Sequence, residues 1–504
     1  MTTKKVQSKI ELSMSDPGMT MLHRAGVAGL YMTLKALEKP YPTLKSRQGN
    51  FKWVLNENSI FLNWKGNDYE ALDWLLKESF QISNDGLISL SGLQSVSWET
   101  RLAIHLGIKN TFLQHNQFFE SEGDATSYLT IDNLEVGIDY KKAKSYAHQK
   151  FVKKLCDKNH YLVKKQIGIT GWLSPGATIK HYAYKKDTQF TETTERALAL
   201  LFAPVACWYF ISPKSKLHDI KSHYCLVIPD VFDLKLYARQ RSKLNYQSLY
   251  VSGSSDAGFR LLTREATLGT IQQNNIKRCQ VITFGQTQWT GFQKIRKNVE
   301  IIEITDKVIK NYQLCDRYFY NRVIEWEDGN FVAASIVREL ITENLARELP
   351  WWHNFTRAVR NKNLFKLVSY EKEGLYEMVK NARWDETSQQ LFVKACHEAL
   401  LKIYGKLYSR GKEGEYIQIE RENERLRSGL IRCLNSEDFR HFMVANFWTK
   451  AGNISILADY WEELMPLTTK PTNWKLARDL ALLSLASYKS RKSQQETDSA
   501  MEEE

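Results

Sequence analysis

Twelve lysines and a single acid, Asp157, fall between Lys141 and Lys186. Cations at this density suit an extended polyanion, because each ammonium seated on a phosphate releases a counterion. Twelve cations against one anion do not predict a balanced, salt-bridged surface. The plain alternative is a solvated lysine-rich helix followed by a strand. Inside the stretch an uncharged turn, Gly171-Trp172-Leu173-Ser174-Pro175-Gly176-Ala177, leads to Lys180 and His181. Lys164, Lys165, Trp172, Ser174, Lys180 and His181 are therefore candidate nucleic-acid contacts. A second group runs from Phe284 to Val299 and reads as a loop between two strands. Gln286, Gln288 and Gln293 can donate and accept there, Trp289 is a core residue or a stacking face, and Lys294, Arg296 and Lys297 suit phosphate. Just upstream, Asn274, Asn275, Lys277 and Arg278 again set amides beside cations. A third set, Arg357, Arg360, Lys362 and Lys366, has the spacing to share one helical face and continue a basic groove along a strand.

Catalytic chemistry is not legible. There is no G-x-x-x-x-G-K-[ST] loop, no G-x-G-x-x-G behind a strand and no G-x-S-x-G elbow, so ATP, dinucleotide and serine-hydrolase sites lack their signatures. His218 and His223 are five apart and read as a loop and a strand residue rather than as metal ligands. Acids are rarely grouped near histidines as a two-metal nuclease requires. No catalytic residue, cofactor or metal is assigned. Two rivals to nucleic-acid binding stay open. One is an RNA-processing or RNA-modifying enzyme, with His181, His223 and Asp230 as suspects; the other is a scaffold whose helices bind only protein.

Positioning these groups takes more than one core, and 504 residues predict two or three domains. The chain is 43% hydrophobic and 25% charged, with a net charge of +13, which reads as a soluble globular protein drawn to anions. Seven scattered cysteines without C-x-x-C spacing argue against a disulfide framework or a zinc ribbon and fit a reducing cytoplasm. No apolar run is long enough to span a bilayer, and the N-terminus lacks the apolar region of a signal peptide.

Periodicity predicts helices over Thr20 to Leu37, where Gly26 and Gly29 admit a close neighbour, over Asp68 to Phe80 and over Thr191 to Phe202. Phe51 to Leu55 and Ile60 to Trp64 form a hairpin. Pro204 introduces a strand-like run, Val205 to Ile211, and His223 to Ile228, Cys279 to Phe284 and Val299 to Ile304 are strands by composition. From Phe331 the stripes turn helical: Val337, Ile341, Leu345 and Leu349 up to Pro350; Leu391, Ala395, Ala399, Ile403 and Leu407; Phe439, Phe442, Met443 and Phe447 behind Ser436 as N-cap; and Leu476, Leu480 and Leu483 after Asn473. The fold class is α+β. An α+β nucleic-acid-binding domain of residues 1–330 precedes a helical bundle of 331–490 and a polar tail, 491–504, whose composition predicts disorder.

Four segments, read together, resemble the large subunit of type I CRISPR Cascade complexes, in the variant of cyanobacteria and myxobacteria grouped near subtype I-B. They are Leu12-Ser-Met-Ser-Asp-Pro-Gly-Met-Thr-Met-Leu-His-Arg-Ala-Gly-Val-Ala-Gly-Leu30, Thr111-Phe-Leu-Gln-His115, Gly171-Trp-Leu-Ser-Pro-Gly-Ala177 and Phe284-Gly-Gln-Thr-Gln-Trp289. Where that family has Arg-His after Pro-Gly-Ala, this chain has Lys180-His181, which keeps the cation and loses a bidentate fork. The resemblance implies a subunit without catalytic activity that sits beside the 5′ handle of the guide RNA. It implies recognition of the protospacer-adjacent motif in duplex DNA, help in opening it, and sequence specificity supplied by guide pairing. The implied partners are backbone, handle-binding and small subunits, with a recruited helicase-nuclease or a transposition adaptor. The helical C-terminal domain resembles the small subunit, which in such systems can be made from an internal start; Met378 would begin such a product.

Overall fold

The computed structural model describes residues 7–93, 96–169, 171–175, 190–241, 249–268, 277–287, 290–327, 329–410 and 415–489, with the backbone alone at 7, 265–268, 286–287, 290–297, 410 and 415–417. The chain divides into two compact units, one of Met1–Lys214, Lys221–Ile304 and Arg322–Ala333, the other of Ser215–Ile220, Thr305–Asn321 and Ala334–Glu504. The first mixes strands and helices and the second is nearly all helix, so the architecture is α+β followed by a helical bundle.

In the first unit Thr20 caps the helix Met21–Leu37: its side chain accepts from the His23 amide, and the His23 ring accepts from the Thr20 amide. A Cβ at Gly26 would collide with the Ala199 carbonyl oxygen, and one at Gly29 with that of Phe202. The helix therefore lies backbone to backbone on Thr194–Ala206. That close approach offsets the roughly 0.5–1 kcal/mol that each glycine costs a helix. Thr194–Ala206 continues through Pro204, beyond its predicted end. In the last turn a proline removes only one ladder bond, and the Tyr209 hydroxyl donates to its carbonyl at 2.9 Å.

An antiparallel sheet runs in the order Trp208–Ser212, His223–Pro229, Arg278–Thr287, Thr290–Glu303. The segment Phe284 to Val299, expected as a loop, is instead the far end of the last two strands, whose pairing continues to Thr287 opposite Thr290. Backbone pairing is indifferent to polar side chains where a ribbon outruns its core. Thr283 pairs with Asn298 and Phe284 with Arg296, so Lys297 is the extra residue of a β-bulge. Gln288 and Trp289, at the tip, lie outside the described residues, as do Asn274 and Asn275.

A second ribbon pairs Phe119–Ile131 with Leu134–Tyr146. Its two-residue turn, Asp132 and Asn133, has φ of 51° and 63°, as a type I′ turn requires. Leu129 and Ile138 anchor it against Leu102 and Leu106 of the helix Trp98–Thr111, with Leu87, Ile211 and Leu249. Lys141, Lys142 and Lys144 thus lie on a strand, and only the short turns Ala147–Lys150 and Val152–Leu155 are helical. The predicted hairpin is present as Lys52–Leu55 with Ser59–Lys65, and Gln7–Ser13 extends it to three strands.

In the second unit Ser335 caps Ile336–Ala346, which carries the Val337, Ile341, Leu345 stripe. The Leu391 to Leu407 stripe lies on Thr387–Arg410. Asn435, not Ser436, caps Ser436–His441: its oxygen accepts the Asp438 amide at 2.8 Å. A π-helical turn, Phe442–Trp448, follows and keeps Met443 and Phe447 buried. Trp474–Ser487 is buried from Asp479 to Ser487 and contacts most of its neighbours in the unit. All seven cysteines are buried thiols, and among the described residues no helix is long and apolar enough to cross a membrane. The tail 491–504 lies outside the described residues.

Candidate nucleic-acid interface

The lysine-rich stretch begins on the second ribbon, and its first members find acids on the opposite strand. Lys144 reaches Glu120 at 3.1 Å, Lys150 the same carboxylate at 3.9 Å, and Lys141 reaches Asp124 at 3.8 Å. The single-acid count therefore understated the balance, because cross-strand partners lie outside the counted stretch. Such exposed pairs contribute about 0–1 kcal/mol, so each ammonium can exchange a carboxylate for a phosphate. Beyond the ribbon, Lys153, Lys154, Lys158, Lys164 and Lys165 are exposed and form no ion pair among the described residues. Of these only Lys164 and Lys165 stood out individually by position; Lys153, Lys154 and Lys158 join them through exposure alone.

Trp172 corrects its assignment as a contact. It is 5% exposed, with ring centroids of Phe118, His148 and Phe151 at 5.6, 4.9 and 5.4 Å. Burial lowers the His148 pKa to about 3, so a neutral imidazole packs there as one more aromatic plate. Trp172 therefore anchors the turn from beneath. Gly171 is exposed and Ser174 half-exposed on that turn, while Lys180 and His181 lie outside the described residues.

At the near end of the four-stranded sheet, Asp230 is fully buried between two arginines. Arg24 Nε donates to one carboxylate oxygen at 2.9 Å and Arg278 Nε to the other at 2.5 Å. Arg278 Nη1 also lies 3.7 Å from the exposed Glu303 carboxylate, a weak, exposed pair that a phosphate can replace. Arg278, with its side chain 42% exposed, lies next to exposed Lys277. This occupancy also disposes of Asp230 as a catalytic base. His223 opens the strand His223–Pro229 and Asp230 follows it, so seven residues at 3.3 Å each separate the two by roughly 23 Å. They cannot share an active site, and His181 lies outside the described residues. Lys294, Arg296 and Lys297 are backbone-placed on the edge strand, Gln293 with them.

The bundle cations do not share one helical face as predicted. Lys362 and Lys366, one turn apart on Lys362–Ser369, are exposed, as is Arg360 ahead of that helix. Arg357 instead ends a 3-10 turn, Phe355–Arg357, and turns inward, with Nη1 3.3 Å from Glu343 and Nη2 2.9 Å from the His218 ring. Its charge is engaged, which removes it from the exposed set. His218 also meets Glu339 and Glu343. The five-residue spacing of His218 and His223 had no bearing on this group; the one linear trace was two glutamates four apart on a predicted helix.

Comparison with known proteins matches two family models: the DevT N-terminal domain over residues 11–201 and the DevT C-terminal domain over residues 380–504. Three of the four recognised segments fall within the first. The chain is also 27% identical, over 536 aligned residues, to the CRISPR-associated protein Cas8a1/Csx13 of Myxococcus xanthus (strain DK1622), covering 97% of this chain and 90% of that protein. The chain belongs to the family of DevT and Cas8a1/Csx13, the large subunits of type I CRISPR systems.

Proposed function

We propose that this chain acts, without catalysis of its own, as the motif-reading large subunit of an RNA-guided surveillance complex in the cytoplasm. Its α+β domain, residues 1–330, contacts the 5′ handle of the guide RNA and the protospacer-adjacent motif in duplex DNA. Its helical bundle, 331–490, guides the displaced strand along Arg360, Lys362 and Lys366. The observation that carries this reading is the run of exposed lysines, Lys153 to Lys165, with no ion pair among the described residues, around a turn held from below by Trp172. Phosphate contacts fix register while amides read base edges. Ser174, Lys180 and His181 with Lys277, Arg278 and the edge-strand set Lys294, Arg296 and Lys297 supply the former role, and Asn274, Asn275, Gln288 and Gln293 the latter, with Trp289 as a stacking face. Backbone, handle-binding and small subunits are its partners, and a helicase-nuclease or a transposition adaptor is recruited once the duplex opens.

The test is to express the tagged gene with its native neighbours and a repeat array, then sequence the co-purifying RNA and challenge the complex with duplexes. Uniform short RNAs sharing a repeat-derived 5′ end are expected. So is binding that falls sharply when bases beside the target, outside the guide-paired region, are scrambled. Heterogeneous RNA, or duplex binding indifferent to those bases, would overturn the reading.

A further inference from the structure

The second unit holds a polar cluster that nucleic-acid binding leaves unused. His218 lies on the loop Ser215–Ile220, closed by the Ser215 amide on the Ile220 carbonyl at 2.9 Å. Glu339 and Glu343 lie one turn apart on Ile336–Ala346, and both turn to the same imidazole. His218 Nε2 contacts Glu343 Oε1 and lies 3.9 Å from Glu339 Oε1. Glu339 is 4% exposed. The Ser215 hydroxyl donates to its Oε2 at 2.9 Å and accepts the His218 amide at 3.0 Å. One hydroxyl thus orients a carboxylate and the loop that carries the imidazole, as outer groups do around metal ligands.

One ring nitrogen and two carboxylate oxygens lie within 4.8 Å of one another. Donors around tetrahedral zinc, with bonds of about 2.0–2.1 Å, stand roughly 3.3 Å apart. The 3.9 Å gap between His218 and Glu339 is too long for a hydrogen bond and close to that spacing. From this arrangement the geometry points to a divalent transition-metal site formed by His218, Glu339 and Glu343, with Arg357 as the group that the ion displaces. An imidazole with two carboxylates and no thiol suits Zn2+ or Mn2+. A guanidinium has donors only. Arg357 Nη2 lies 2.9 Å from His218 Nδ1 and 3.2 Å from Nε2, and because the Glu343 carboxylate faces Nε2 the ring proton belongs there, on the atom a metal would need bare. Metal binding at Nε2 moves the ring proton to Nδ1 and turns Arg357 away. The ion would fasten the loop Ser215–Ile220 to its helix.

The experiment titrates ZnCl2 into untagged full-length protein, stripped by chelator and dialysed at near-neutral pH, with calorimetry and thermal melts read together. One Zn2+ per chain and a raised melting temperature are expected, and His218→Ala or Glu343→Gln abolishes both. Arg357→Gln binds about tenfold tighter, because a neighbouring positive charge is gone. Since a variant can fail to fold, Co2+ is also added to the wild-type chain. Visible bands of nitrogen and oxygen coordination without a thiolate charge-transfer band support the site. Absence of saturable binding in the wild type, undiminished binding in folded His218→Ala, or a thiolate band would each overturn it, and weaker binding by Arg357→Gln would refute the displacement.

Discussion

Replacing Asp230 by asparagine keeps its shape and removes the one negative charge between Arg24 and Arg278. Unit charges about 4 Å apart interact by about 4 kcal/mol at an effective dielectric of 20. Arg24, 17% exposed, keeps most of that interaction, whereas Arg278, 42% exposed, is largely screened by water. Summed on that basis, Asp230→Asn costs about 3–4 kcal/mol, in the range for breaking a buried pair from one side. Arg278→Ala costs far less, since Arg24 still neutralises the carboxylate and water screens the exposed guanidinium. Hydrogen exchange read by mass spectrometry localises the effect to peptides of Met21–Leu37 and His223–Pro229. At 1.36 kcal/mol per decade, exchange there should accelerate roughly 200- to 800-fold in Asp230→Asn and far less in Arg278→Ala. Acceleration below tenfold in Asp230→Asn, or equal damage from the two changes, would refute the view of Asp230 as a buried anchor.

The paired change Lys164→Ala with Lys165→Ala should flatten the dependence of log K on log salt for duplex binding by about 1.8, near 0.9 per lost phosphate contact, while leaving the melting temperature unchanged. Trp172→Ala should cost about 3–5 kcal/mol in urea unfolding, and Trp172→Phe distinctly less; a harmless Trp172→Ala would return the indole to the surface. Burial lowers the pKa values of His23, His105 and His397 from 6.5 to about 4 and that of His148 to about 3. Unfolded imidazoles take up protons first as pH falls, so this stability is present above pH 6.5 and is lost from there towards pH 4, at up to about 1.4 kcal/mol per pH unit for each group. Thermal melts that stay flat across that window would contradict it. An internally started product beginning at Met378 should vanish from immunoblots when the gene carries Met378→Leu, a change the buried core accommodates.

Hydrophobic spacing made the helices legible wherever one face is buried: Val337, Ile341 and Leu345 name their helix, and so does the glycine-bearing stripe of Met21–Leu37. It failed at Phe284 to Val299, where a ribbon beyond the core carries polar residues that composition assigns to a loop. It failed at Pro204 because a proline in a final turn costs little. The candidate interface was half legible. Charge density marked the lysines, but their acids, Glu120 and Asp124, belong to a facing strand. The Arg24, Asp230 and Arg278 anchor joins three distant segments, and His218 meets Glu339 only through tertiary folding. No linear spacing encodes such meetings. Trp172 illustrates the remaining ambiguity, since an aromatic beside lysines has the same signature whether it stacks on a base or fills a core.

The backbone contact between Met21–Leu37 and Thr194–Ala206 sets a timetable for synthesis. Leu22, Val27, Leu30 and Leu34 are buried in the finished protein, yet the helix that covers them is completed about 170 residues later, roughly 8–34 s at ribosomal speeds. For that interval the nascent chain carries a hydrophobic stripe notched by glycines, with nothing yet made to fill the notch. A trigger-type chaperone at the ribosome exit would find its client there. A polypeptide started at Met378 would be released without that delay.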